Sequence, residues 1–124
     1  MMTPKQNIIK EKSFAFAIRV IKMYNFLKEN KKEFILSKQL MRSGTSIGAM
    51  VREAINAETS KDFIHKLSVA QKECDETCYW LELLKEANYI SEKEFASIYN
   101  DATELLKIRS IIIKSKQKLE TNNS

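Results

Sequence analysis

Glu73 and Glu76 stand three residues apart in a stretch with helical periodicity, and Ser43 and Ser46 repeat that spacing earlier in the chain. Paired carboxylates suit general acid–base chemistry, and a serine beside a base suits nucleophilic catalysis. Neither set is completed. No nucleophile, phosphate loop or metal set accompanies the glutamates, and no base accompanies the serines. A di-iron bundle needs a Glu from each of two helices and Glu-x-x-His from each of the other two. This chain has one histidine, His65, and no Glu-x-x-His. Cys74 and Cys78, four apart on one helical face, do not suit a disulfide within a regular helix, and no second pair completes a zinc site. They read as small apolar residues of a core stripe. Tyr79 and Trp80 read as core or subunit-interface material. The sequence therefore predicts no catalytic residue, no metal and no cofactor.

The same polar residues have a different use as a seam between helices. Arg42, Ser46, Ala49 and Glu53 share one face of a helix, and Asp62, Lys66, Val69, Glu73, Glu76 and Trp80 share one face of the next. With the turn near Thr59, Arg42 lies 17 residues before it and Glu76 lies 17 after it. Glu53 lies six before, and His65 and Lys66 lie six and seven after. Arg42 is expected to pair with Glu76 or Glu73, and Glu53 with Lys66 or His65. An arginine fork gripping a carboxylate fixes register. Removing one partner of a buried pair costs about 3–5 kcal/mol. Gly44 and Gly48 form a small-xxx-small step that lets another backbone come close, and each costs about 1 kcal/mol of helix propensity.

Four helices are needed to place these groups. The first is expected over 8–30, with Thr3-Pro4-Lys5-Gln6 as a cap for an earlier start. Phe14, Ile18 and Ile21 form one apolar row on it, and Phe16, Val20, Met23 and Leu27 a second, enough to touch two neighbours. The second helix is expected over 37–57, with Leu36, Leu40, Ile47, Val51 and Ala54 as apolar positions and a thin middle from Ser43 to Ala49. Thr59 with Asp62 resembles a capping box before a third helix over 60–87. There Phe63, Leu67, Ala70, Cys74, Thr77, Leu81 and Leu84 make a coiled-coil-like seam. Ser91 with Glu94 is a clean capping box before a fourth helix over 92–116, with Phe95, Ile98, Ala102, Leu105 and Ile112 on its core face. Residues 117–124 read as a polar tail. One all-α domain follows: an antiparallel up-down-up-down four-helix bundle.

The chain of 124 residues has only two Gly and one Pro, and 30% of its residues are charged, which suits long helices and short loops. No apolar run approaches the ~20 residues of a membrane span. The N-terminus lacks the apolar core of a signal peptide, so a cytoplasmic protein is expected. Net charge divides along the chain: +7 over residues 1–42, −6 over 43–106 and +4 over 107–124. A basic surface built from the first and last helices would face an anionic partner. Its candidate contacts are Lys10, Lys12, Arg19 and Lys22 on the first helix, with Lys107, Arg109, Lys114, Lys116 and Lys118 on the last. They would be phosphate contacts, salt-dependent and weakly sequence-selective. The competing expectation is a protein-interaction scaffold that touches no nucleic acid, marked by an exposed apolar patch.

Several motifs in order resemble one family: Gln39-Leu40-x-Arg42-Ser43-x-x-Ser46-Ile47-Gly48-Ala49, then Glu53-Ala54, then Ser60-Lys61-Asp62-Phe63. The second half agrees, through Lys66-Leu67, Ala70, Lys72-Glu73, Glu76-Thr77 and Tyr79-Trp80-Leu81-x-Leu83-Leu84. The sequence is similar to the four-helix bundle proteins related to the 23S rRNA intervening-sequence protein, from about Phe14 to Ser115. The resemblance implies a small bacterial bundle that assembles as a homopentamer. It also implies kinship with accessory proteins of diversity-generating retroelements, in which a basic pentamer is associated with reverse transcriptase and nucleic acid. No catalytic residues are carried over. Gly44 stands where relatives often have Ala, and Arg52 adds a charge where a more usual step is Asn-Ile-Ala-like.

Overall fold

Helix caps set most of the element boundaries. In the computed structural model, which describes residues 2–123, Thr3 caps the first helix with Gln6 reciprocating, and α1 runs Pro4–Lys31. The early cap thus adds a full turn to the expected 8–30. Thr59 accepts the Asp62 N–H at 3.0 Å to open α3, Ser60–Glu86. Ser91 and Glu94 form a reciprocal box before α4, Glu92–Glu104. Helix α2, Leu36–Ile55, is started differently. The buried Glu33 carboxylate receives the N–H groups of Ile35, Leu36 and Ser37 at 2.8, 2.9 and 3.0 Å, and the Ser37 hydroxyl donates back to the Glu33 carbonyl at 2.8 Å. A carboxylate there satisfies the otherwise unpaired amides and meets the positive end of the helix dipole. The chain reaches this turn through Lys32, which ends α1 in the left-handed region at φ 53°.

The fourth arm is not the continuous helix expected over 92–116. It breaks at Leu105–Leu106, and α5 runs Lys107–Asn123, so the expected polar tail is helical through Asn123 while Ser124 lies outside the described residues. The cause is a change of apolar period. Ala102, Leu105, Ile108 and Ile111 recur every three residues and all four are buried. A regular α-helix would rotate the fourth of these half a turn away from the first. The backbone tightens instead: the N–H groups of Leu105, Leu106, Ile108 and Arg109 each donate to the carbonyl three residues back, at 2.9–3.1 Å. In a three-residue turn, positions three apart stay aligned on the core.

Helix α2 packs chiefly on α1 and α3, and the α4–α5 arm packs on α1 and α3, giving an all-α four-helix bundle. Phe16, Val20, Leu27, Leu40, Ile47, Leu67, Leu81, Leu84, Ile98 and Leu105 form its centre, each at most 2% exposed. Of the second apolar row of α1, Phe16, Val20 and Leu27 are buried this way and Met23 is partly buried. Of the first, Phe14, Ile18 and Ile21 remain 53%, 40% and 39% exposed. The glycine step is used by α1. A Cβ on Gly44 would fall 2.7 and 2.8 Å from the two Val20 methyls, whereas one on Gly48 would sit in ordinary contact with Ser13, at 3.4 Å or more.

Candidate nucleic-acid interface

Lys5, Lys12 and Arg19 repeat every seven residues along α1, so they share one face. That face meets the α4–α5 arm. Arg19 Nη1 donates to Asp101 at 2.6 Å and to the Ser97 carbonyl at 3.2 Å, while Nη2 reaches the Ser97 hydroxyl at 3.0 Å. One step along, Lys12 pairs with Glu104. Two candidate contacts are therefore occupied by internal carboxylates. A third, Arg109, lies 3.4 Å from Asp75.

At the third step the pattern inverts. Lys5 Nζ donates to the Ser110 hydroxyl at 3.0 Å, and the charged groups beside it are Lys114 and Lys107. Repulsion from the Lys114 charge, ahead of any desolvation, holds the Lys5 ammonium below its ordinary pKa. Lys107, Lys114 and Lys118 lie on one face of α5, two turns and then one turn apart. Lys116 is exposed on a different face, Lys22 is exposed on α1, and Lys10 is half-buried. Among the described residues, no carboxylate comes within ion-pair distance of Lys5, Lys10, Lys22, Lys107, Lys114, Lys116 or Lys118. Lys5 was missing from the sequence-derived set, although its seven-residue spacing from Lys12 and Arg19 was there to be read.

Between the start of α1 and α5 lies a cleft of about 510 Å³, with Pro4, Ile8 and Ile111 in its lining and Lys5, Lys114 and Ser115 beside them.

The α2–α3 seam is a separate feature. Arg42 bridges Glu73, at 3.0 Å, and Glu76, and Lys66 reaches Glu53 at 2.9 Å, while His65 is exposed. Trp80 Nε1 donates to Glu76 at 3.2 Å. The hydrogen bond from Arg42 lowers the Glu76 pKa, and Arg42 is raised in return. The hydrogen bond to Glu53 likewise raises Lys66. The seam is not buried: the Arg42 side chain is 49% exposed. Ser46 takes no part across the helices, because its hydroxyl donates to the Arg42 carbonyl at 2.6 Å. The buried polar link is one the spacing argument passed over. Ser43 Oγ lies 2.9 Å from Thr77 Oγ1, both fully buried, and Thr77 also donates to the Glu73 carbonyl at 2.7 Å. Cys74 and Cys78 are free thiols, and the Cys74 Sγ–H donates to the Ala102 carbonyl at 3.3 Å. Interaction with Cys78, then burial, raises the Cys74 thiol above its ordinary pKa. Among the described residues, no group of His, Cys, Asp and Glu side chains could hold a metal ion, and no helix is long and apolar enough to cross a membrane.

Comparison with known proteins places this architecture. A protein of unknown function from the S23 ribosomal protein family of Bacteroides thetaiotaomicron VPI-5482, solved by crystallography at 1.70 Å resolution, is 52% identical. It superposes with a TM-score of 0.86 over 87% of this chain and 97% of that one. The search of curated proteins returned no match. A family model described as 23S rRNA-intervening sequence protein matches residues 5–110, most of the chain and all four arms of the bundle. The chain belongs to the 23S rRNA-intervening sequence protein family.

Proposed function

We propose that this chain is a non-enzymatic, homo-oligomeric, cytoplasmic bundle that binds RNA or another nucleic acid through the basic corner where α1 begins and α5 runs. The observation that carries the reading is the inversion at Lys5: a cationic row neutralised by Asp101 and Glu104 ends against Lys107 and Lys114. Clustered like charge costs stability, and a polyanion offsets that cost. The family description refers to a 23S rRNA-intervening sequence, which makes RNA the first polymer to test. A non-enzymatic role is supported by what the polar groups do: Arg42 engages Glu73 and Glu76, and Ser43 and Ser46 are committed to Thr77 and a carbonyl. Self-association is supported by the exposed row Phe14, Ile18 and Ile21. The pentamer count comes from family resemblance alone.

A second reading, a scaffold that docks another protein, is favoured by Phe34 and Ile35. They are 57% and 78% exposed on the turn that Glu33 holds in place. A titration of the purified protein with structured RNA, single-stranded RNA and duplex DNA at low and moderate salt separates the two. Salt-sensitive binding, lost when Lys114, Lys116 and Lys118 are reversed to Glu, is the expected result. Absence of binding at low salt would leave the scaffold reading.

A further inference from the structure

We infer that the cleft between the first turns of α1 and the second and third turns of α5 seats an unpaired polynucleotide strand, with phosphates on Lys5, Lys107, Lys114 and Lys118 and a sugar or base face against Ile8 and Ile111. This rests on the nucleic-acid reading above and narrows it to a place and a class of polymer. Two observations carry it. First, the four lysines form a short track. Those on α5 are spaced about 10 Å and then about 6 Å along the axis, from the rise of 1.5 Å per residue, and Lys5 stands beside Lys114. A track of this kind follows one backbone. Second, the cleft sets apolar side chains beside the cations, with Thr3, Gln6 and Ser115 completing its lining. At about 510 Å³, with Pro4, Ile8 and Ile111 in its lining, it has room for a nucleoside-sized body. A duplex keeps its bases stacked inside and presents phosphates and sugars outward, so it has nothing apolar to place there. An unpaired strand can splay a nucleoside into the cleft while its phosphates remain on the lysines.

The test is fluorescence anisotropy of a labelled single-stranded RNA and of the same sequence as a duplex, across a salt series. The single strand is expected to bind more tightly. Lys5→Ala with Lys114→Ala is expected to lower the slope of log affinity against log salt by about 1.4, about 0.7 for each lost contact on a single strand. Its melting temperature is expected to hold or rise, because a repulsion has been removed. Ile8→Asn is expected to weaken binding with the salt slope unchanged, since it removes an apolar contact and no charge. Lys93→Ala, on the exposed surface of α4, is the control. Equal affinity for the duplex, or a double variant that binds as tightly as the control, overturns the inference and leaves the nucleic-acid reading standing. Failure of every polymer to bind overturns both.

Discussion

Gly44 and Gly48 are alike in sequence and unlike in consequence. Alanine at 44 would thrust a methyl to within 2.7 Å of Val20, a β-branched side chain with no exposed surface into which to retreat. Overpacking of this kind costs about 1–3 kcal/mol, more than the ~1 kcal/mol of helix propensity that alanine returns. Gly44→Ala is therefore expected to lower the urea midpoint, whereas Gly48→Ala, whose new methyl meets Ser13 at ordinary distance, is expected to be neutral or stabilising. Val20→Ala should cost stability alone yet rescue Gly44→Ala, a coupling that a double-mutant cycle measures directly. The Arg42 fork makes a pH-dependent prediction. Glu76 has a lower pKa in the folded state than in the unfolded chain, so its contribution is complete above the ordinary carboxylate value. It is lost as the pH falls through the folded value. Glu76→Gln is expected to melt lower than the parent at neutral pH, by about 1 kcal/mol or less because the pair is partly exposed. The gap should close in acid, and a gap that widened there would contradict the assignment.

The elements depend on caps of two kinds, and only one kind was legible. Thr3, Thr59 and Ser91 sit immediately before their helices and carry the expected hydroxyl, so three of the starts could be read from spacing. Glu33 acts from three residues ahead of Leu36, with Ile35 in the formal cap position making no side-chain bond. Short-range cap rules look for Ser, Thr, Asp or Asn at that place and pass it by. Glu33→Ala leaves three amides without their carboxylate and is expected to cost about 1–2 kcal/mol, at the upper end for a cap. Glu33→Gln, which keeps an acceptor, is expected to cost less; chemical denaturation of both variants checks the order. The break at Leu105–Leu106 escaped the sequence reading for another reason. No Gly or Pro marks it, and its signal is the three-residue recurrence from Ala102 to Ile111, visible only when a local period is tested against a regular helix.

For the whole molecule, the division of charge was plain in the sequence, while the use of each charge was not. Lys12, Arg19 and Arg109 counted as free cations until α4 and α3 set Glu104, Asp101 and Asp75 opposite them. Pairing between residues so far apart in the chain depends on rotation about each helix axis, which composition does not report. The exposed face of α1 carries the corresponding prediction for assembly. Ile18→Glu puts a charge in the middle of the Phe14–Ile21 row without touching the core, and under the proposed self-association it is expected to reduce the mass seen by light scattering. An unchanged mass would move the interface elsewhere. The pairs between α1 and α4 also set an order of events during synthesis. Lys12 and Arg19 leave the ribosome 92 and 82 residues ahead of the carboxylates that receive them. Until α4 follows, Lys12 and Arg19 lack the carboxylates that receive them in the bundle. Docking of α4 onto α1 therefore neutralises two of the three charges in the row Lys5, Lys12 and Arg19 and leaves the corner at Lys5.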